Sequence, residues 1–299
     1  MKSTTAVVLL AQVLPGLVRA AEPGVLAPGA KVEKLAGDFA FTEGPTCDAG
    51  GNLYFTDQPN DRILRWSRDG TLTTFLQPAG RSNGMHFDAS GNLVACADER
   101  NELWSIAPDG KASVLWKGHA GRALNGPNDV WIHPGGGMYF TDPFYKRPWW
   151  SHEAMPQDGQ HVYYLPPGRE ALVRVTDDLV QPNGIIGTPD GRTLYVADIG
   201  AKKTWRYAIG KDGRLSGKAL VCEHGSDGMT LDEEGHLYLT GDGVRVFDSE
   251  GRQVEHILVP EPWTANVSFC GGDRRTLFIT ASKGLYSVRT RTRGAGAAK

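Results

Sequence analysis

The 299-residue chain lacks a dominant charge: 32 Lys and Arg stand against 34 Asp and Glu, for a formal net charge of −2. With no sustained field of one sign, neither a nucleic-acid groove nor an acidic tail is expected. It also lacks any apolar run long enough to cross a bilayer, which takes about 20 residues. The nearest approach, Ala6 to Val18, is interrupted by Pro15 and Gly16. Cysteine is scarce, with Cys47, Cys96, Cys222 and Cys270 forming no CxxC pair or Cys/His cluster, so a zinc site is not indicated. One bridge and buried free thiols are equally open readings of those four, and no pairing is assigned. Long helical periodicity is missing throughout. The hydrophobic content of 40% over this length is nevertheless enough to build a substantial core.

Several short motifs lack the context that would give them meaning. Gly80-Arg81-Ser82-Asn83-Gly84 fits GxSxG, yet the strand-like MHFD follows it where a nucleophile elbow needs a helix. His152-Glu153 has no second histidine to complete HExxH, and no GxGxxG lies between a strand and a helix. Asn266-Val267-Ser268 fits a glycosylation acceptor, used only in a host with that machinery. At the N-terminus, Lys2, the apolar stretch and a small residue at Ala20 predict a signal peptide over 1–20 and a secreted or periplasmic protein.

What the chain has in abundance is glycine, 38 residues, and the glycines recur in phrases. A turn followed by a strand-like run appears as DAGGNLYFTD, DASGNLVACAD, HPGGGMYFTD, TPDGRTLYVAD, DEEGHLYLT and GGDRRTLFIT. Between Leu53, Leu93, Met138, Leu194, Leu237 and Leu277 the spacings are 40, 45, 56, 43 and 40 residues. A sandwich or barrel has no reason to repeat one phrase through the whole chain at this period. Alternating runs before and after each phrase supply three further strands per unit. The expected fold is all-β, a six-bladed β-propeller with four antiparallel strands per blade. It occupies 31–289 as a single domain, after an extension at 21–30 and before a flexible basic tail at 290–299. The KVEKLA segment at 31–36 is expected to close the ring as the outer strand of the last blade.

The runs preceding each turn are the candidate innermost strands, and four open on polar residues: Glu43-Gly44-Pro45, Asn128-Asp129, Asn183-Gly184 and Asp227-Gly228. Carboxylates from Glu43 and Asp227 with amide oxygens from Asn128 and Asn183 form an all-oxygen set suited to a hard divalent cation such as calcium. The competing reading takes these residues as ordinary turn formers. Their position before a strand, where most turn aspartates follow one, favours the site. Asn83-Gly84 and Asn266 hold the same place in the second and sixth units.

The ordered set FTEGP, LNGPNDV, GMYFTDP, QPNGI, LYVAD and GSDGM on a six-blade repeat resembles the SMP-30/gluconolactonase/LRE family over roughly 32–288. The resemblance implies a metal-dependent lactonase that hydrolyses a sugar or aldonic lactone to the hydroxy acid. By the same resemblance Glu43, Asn183 and Asp227 are metal ligands, and the metal is Ca²⁺, with Zn²⁺, Mn²⁺ or Mg²⁺ as alternatives. Asn128 stands beside substrate and metal, so Asp227 and Asn128 are the catalytic candidates. Asp129 follows as a pocket residue. The arginine that some members carry two positions before the asparagine is replaced here by Gly126, and the nearby Arg122 is not equivalent, a departure in sugar recognition.

A bound cation would polarise the lactone carbonyl, and Asp227 could orient or deprotonate the attacking water. The longest insertion, PFYKRPWWSHEAMPQDGQ at 143–160, could cover the pocket, and with Asn128, Asp129 and Asn83 its Trp149 and His152 are expected at the substrate. The partner expected is therefore a small lactone, with no nucleic acid, membrane span or obligatory protein. A non-catalytic propeller binding calcium, a glycan or a protein is the alternative class. A related esterase or phosphotriesterase is the alternative chemistry, favoured if Trp149 and Trp150 point inward.

Overall fold

The computed structural model describes Met1 and residues 24–296. The expected signal peptide over 1–20 lies outside the described residues apart from Met1. Among the described residues are six four-stranded antiparallel sheets and a two-stranded ribbon of Gly118–His119 with Arg122–Ala123. The first strands of the six sheets neighbour one another around a ring, as a six-bladed propeller requires. The first blade runs Thr42–Cys47, Leu53–Asp57, Arg62–Trp66 and Leu72–Leu76. The first strands of the second to sixth blades are Ser82–Phe87, Val130–Ile132, Pro182–Gly187, Met229–Leu231 and Thr264–Cys270.

The repeated Asp/Gly turn has a local cause. In three blades the turn aspartate folds back on its own hairpin: Asp48, Asp88 and Asp232 accept backbone N–H groups four residues on, at 2.8–2.9 Å. A side chain that mimics a backbone turn in this way selects Asp at that place. The second strands, by contrast, are buried on both faces because blades pack flat against each other, and Leu93–Ala97 is buried at every position. Val94, Cys96 and Leu103 of the second blade thus share one core with Val130 and Phe140 of the third. Fourth strands face outward, and Leu72–Leu76 is mostly exposed.

Blades are joined at the centre by threonines of the second strands. Thr56, Thr141 and Thr240 donate to the carbonyls of Asn83, Asn183 and Ala265 in the following blade, at 3.3, 2.7 and 2.7 Å. Ring closure uses Glu33–Ala36, which pairs antiparallel with Gly284–Arg289 as the fourth strand of the last blade. A Cys47–Cys270 disulfide ties the first strand of the first blade to that of the sixth. Cys96 and Cys222 are buried free thiols.

Residues 290–296, the described part of the tail expected to be flexible, are held against the fifth blade. Thr290 and Thr292 are buried, and Thr292 Oγ1 donates to Asp232 Oδ2 at 2.8 Å. Arg291 forms a two-pronged pair with Glu234 at 2.8–2.9 Å, and Leu26 bridges to Thr290. The basic residues that suggested a solvated tail have acidic partners waiting on the fifth blade, so 290–296 is laid down with 24–30 across the ring.

Candidate active site

The axis is built from main chain. Glu43, Asn83, Asn183 and Asp227 each precede a glycine that lies in a first strand or, for Gly228, immediately before one, and those glycines are where one blade touches the next. A Cβ on Gly44 would lie 2.1 Å from the carbonyl oxygen of Asn83, on Gly184 2.7 Å from that of Asp227, and on Gly228 2.0 Å from the Asn266 amide carbon. Gly44 also has φ +46°, a left-handed conformation that disfavours any side chain. The polar pairs of the sequence are therefore turn-like and functional at once. Glycine lets the backbones meet, and the preceding residue is carried to the centre.

A cavity of ≈ 230 Å³ opens there, and Glu43, Asn83, Asn128 and Asp227 all line it. Asn183 is one bond away, its Nδ2 donating to Asp227 Oδ1 at 2.8 Å and to the Tyr145 hydroxyl at 2.6 Å. Asp129 is buried just behind, its carboxylate accepting the Val130 N–H at 2.9 Å and the Ile185 N–H at 3.4 Å. Trp149 and His152 are not among the lining residues. Trp149 instead lies under the guanidinia of Arg81 and Arg147, and His152 stacks on Trp150 at 5.0 Å.

Six lining residues were not assigned to the substrate from sequence: Phe41, Gln58, Tyr145, Arg147, Ile199 and Trp263. Gln58, Tyr145 and Ile199 follow soon after the ends of second strands, at Asp57, Asp142 and Asp198. In an antiparallel blade the end of the second strand sits beside the start of the first, so these loops share the mouth of the channel. That rule was the available signal. Trp263 comes from the loop before Thr264–Cys270, and its Nε1 donates to Asp227 Oδ2 at 2.6 Å.

The carboxylates are held in an environment that resists their charge. Burial raises Glu43 well above the usual carboxylate range, and Asp227 and Asp129 push it further, against the Gly44 N–H and the Asn266 amide. Burial also raises Asp227, offset by hydrogen bonds from Trp263 and Asn183 and by the charge of Arg147. Asp129 is pushed up to about 7, again mainly by burial. Several buried carboxylates around one cavity, with little positive charge to balance them, are the electrostatic complement of a cation.

The donor set fits a hard divalent metal. Among the described residues no group of three or more His, Cys, Asp or Glu side chains is arranged to hold a metal ion by itself. What the axis supplies is two carboxylates and amides. Asn183 Oδ1 is buried with no donor, while Asn183 Nδ2 presents its positive edge to Asp227. That orphaned oxygen is a polar atom in want of a positive partner.

Known proteins match along the same span. The family model described as SMP-30/gluconolactonase/LRE-like region matches residues 41–283. A gluconolactonase of Zymomonas mobilis is 28% identical over 295 residues, covering 88% of this chain and 82% of that protein. The structure of a gluconolactonase from Xanthomonas campestris superposes with a TM-score of 0.82 at 32% identity, covering 91% of this chain and 99% of the other. At the level of fold alone, a calcium-binding regucalcin of Agrobacterium tumefaciens is similar, with a TM-score of 0.73 at 19% identity over 92% of this chain and 95% of that one. With its six blades, its axial carboxylates and a match spanning most of its length, the chain belongs to the SMP-30/gluconolactonase/LRE-like family.

Proposed function

We propose that this lactonase-type hydrolase opens a sugar or aldonic lactone to the hydroxy acid at the axial cavity, with a divalent cation held by Glu43, Asn183 and Asp227. The observation that carries the reading is the pairing of two buried carboxylates at one cavity with a buried, donorless Asn183 Oδ1 one hydrogen bond behind its wall. Gluconolactonases among the similar proteins support the lactone as substrate class, and calcium is the metal the all-oxygen set suits best. When bound, the cation supplies polarisation of the ester carbonyl and a lowered pKa for water.

The chain's own residues do the rest. Asp227 accepts the proton of the attacking water and passes it to the ring oxygen as the C–O bond breaks. Its carboxylate is held for that task from both sides, by Trp263 Nε1 and Asn183 Nδ2. Asn128, lining the same cavity, orients the lactone by its amide. Glu43 and Asp227 together balance a divalent charge, so an incoming neutral ester meets no net field. Neither Trp149 nor Trp150 lines the cavity, which removes the feature that would favour an aryl-ester substrate. Export to the periplasm or the medium is part of the proposal, supported by the N-terminal pattern of 1–20 and by the Cys47–Cys270 bridge.

The test is hydrolysis of glucono-1,5-lactone by purified protein, first with a chelator and then with calcium, zinc, manganese or magnesium restored. Turnover is expected only with metal, and Asp227→Asn is expected to abolish it. Absence of any metal-dependent rate above spontaneous opening refutes the lactonase reading.

A further inference from the structure

Three aspartates that end second strands perform one structural task. Asp57 accepts the N–H groups of Ala40 and Phe41, Asp142 those of Asn125 and Gly126, and Asp198 those of Val180 and Gln181, at 2.8–3.2 Å. Each carboxylate clamps the loop that leads into its own blade's first strand. In the second blade the same place in the repeat, four residues after Leu93, is Ala97, which has no carboxylate to offer the loop at 79–81. There Asp61 of the preceding blade accepts the N–H groups of Ala79 and Arg81 through Oδ1, and Asp98, the residue after Ala97, stands outside the clamp.

The Asp98 side chain, 2% exposed, is thereby free for other partners. Its Oδ2 accepts Arg147 Nε at 2.9 Å and Gln58 Nε2 at 3.1 Å, and both residues line the axial cavity. The surroundings make room for this pair. A Cβ on Gly126 would lie 2.8 Å from Asp98 Oδ1 and 2.7 Å from the Trp150 ring, whose Nε1 donates to the Asp98 carbonyl. The Arg147 guanidinium lies over the Tyr145 ring at 4.9 Å and over the Trp149 ring at 5.6 Å. Fixed by Nε and by two rings, it has both Nη groups without a protein acceptor among the described residues. A planar two-donor fork held rigid at a cavity wall is a recognition element.

We infer that Arg147 selects polyhydroxylated lactones by donating from its two Nη groups to ring hydroxyls, and that Asp98 is the residue that positions it. Charge balance chooses a neutral polyol over an anion. Asp98 cancels Arg147, leaving Glu43 and Asp227 for the divalent cation, so the loaded cavity has no charge left to attract a carboxylate or phosphate. The blade-three insertion thus carries the specificity of the site through Arg147. This inference rests on the lactone-hydrolase reading and names its substrate class.

Two lactones with the same six-membered ring separate the two claims: glucono-1,5-lactone, which carries hydroxyls, and δ-valerolactone, which has none. Arg147→Met is expected to lower kcat/KM for the first by roughly 10- to 100-fold, mainly through KM, the loss usual for a charge-assisted hydrogen bond. Hydrolysis of δ-valerolactone should fall by clearly less, because it loses only the influence of the Arg147 charge on Asp227 and no hydroxyl contact. Arg147→Lys keeps the charge beside Asp98 but not the fork, and the same selective loss, smaller in size, is expected if Met prevents folding. Asp98→Asn should raise KM for glucono-1,5-lactone by a larger factor than for δ-valerolactone, a split between the two substrates that mere destabilisation would not produce. Equal losses on both lactones, or none on either, overturn the assignment of Arg147. A wild-type protein that opens neither lactone with any metal refutes the hydrolase reading, and this inference falls with it.

Discussion

The disulfide offers a quantitative test of how the ring is held shut. Cys47 and Cys270 are 223 residues apart in sequence, and their bridge joins the first and last blades at the seam. Cross-linking a loop of that size removes about 18 cal/mol/K of entropy from the unfolded chain, or about 5 kcal/mol at 25 °C. Unfolding entropy of about 2.1 cal/mol/K per residue over roughly 270 residues gives about 0.6 kcal/mol per degree. The double variant Cys47→Ala/Cys270→Ala should therefore melt about 9 °C below wild type. The variant should still fold, because Glu33–Ala36 remains paired with Gly284–Arg289 across the same seam. It should also keep its activity at 25 °C, since neither cysteine lines the cavity. Calorimetry on the variant, and on wild type with and without reductant, reads the effect directly. A shift under about 2 °C would refute the reasoning, for it would mean that the unfolded chain gains little freedom when the bridge is cut.

Further outcomes are expected. In chelator the melting temperature should fall as pH rises from about 4 to about 7, because burial raises Asp129 and Asp142 to about 7 in the folded protein, above their unfolded values near 4. A raised carboxylate favours folding in its protonated form, so its contribution is complete below the unfolded value and is lost through the folded one. A melting temperature climbing steadily over that window would contradict the assignment. Gly228→Ala should cost about 1–3 kcal/mol by overpacking against Asn266 and weaken metal binding through the adjacent Asp227, seen by thermal melts and calcium titration. Thr292→Val should cost about 1–2 kcal/mol, measured by chemical denaturation, because it removes one of the donors to the buried Asp232 carboxylate.

Much of this architecture was legible because propellers repeat their physics. The Asp/Gly hairpins and the doubly buried second strands are local consequences of sequence, and they recur at a readable period. The polar residues before the axial glycines were legible for the same reason, as exceptions to the habit of placing Asp after a strand. Tyr145 and Arg147 could be named as loop residues, but their place at the cavity depends on how the insertion folds back, which no period encodes. Trp149 and His152 looked equally suited to a substrate; stacking beneath two guanidinia and beside Trp150 engaged them elsewhere. The tail was misread because its basic composition says nothing of the acidic residues 57 positions upstream that receive it.

The glycines at the axis have an evolutionary corollary. Because main chain meets main chain at Gly44, Gly84 and Gly184, much of the frame of the active site is set by atoms that every residue type possesses. The side chains at 43, 83, 183 and 227 are hung on that frame, adding links of their own such as the hydrogen bond from Asn183 to Asp227. Their chemistry can be exchanged one position at a time while the scaffold stays as it is. In such a molecule folding and reactivity are separately heritable, and new activities can arise at the axis without a detour through unstable intermediates.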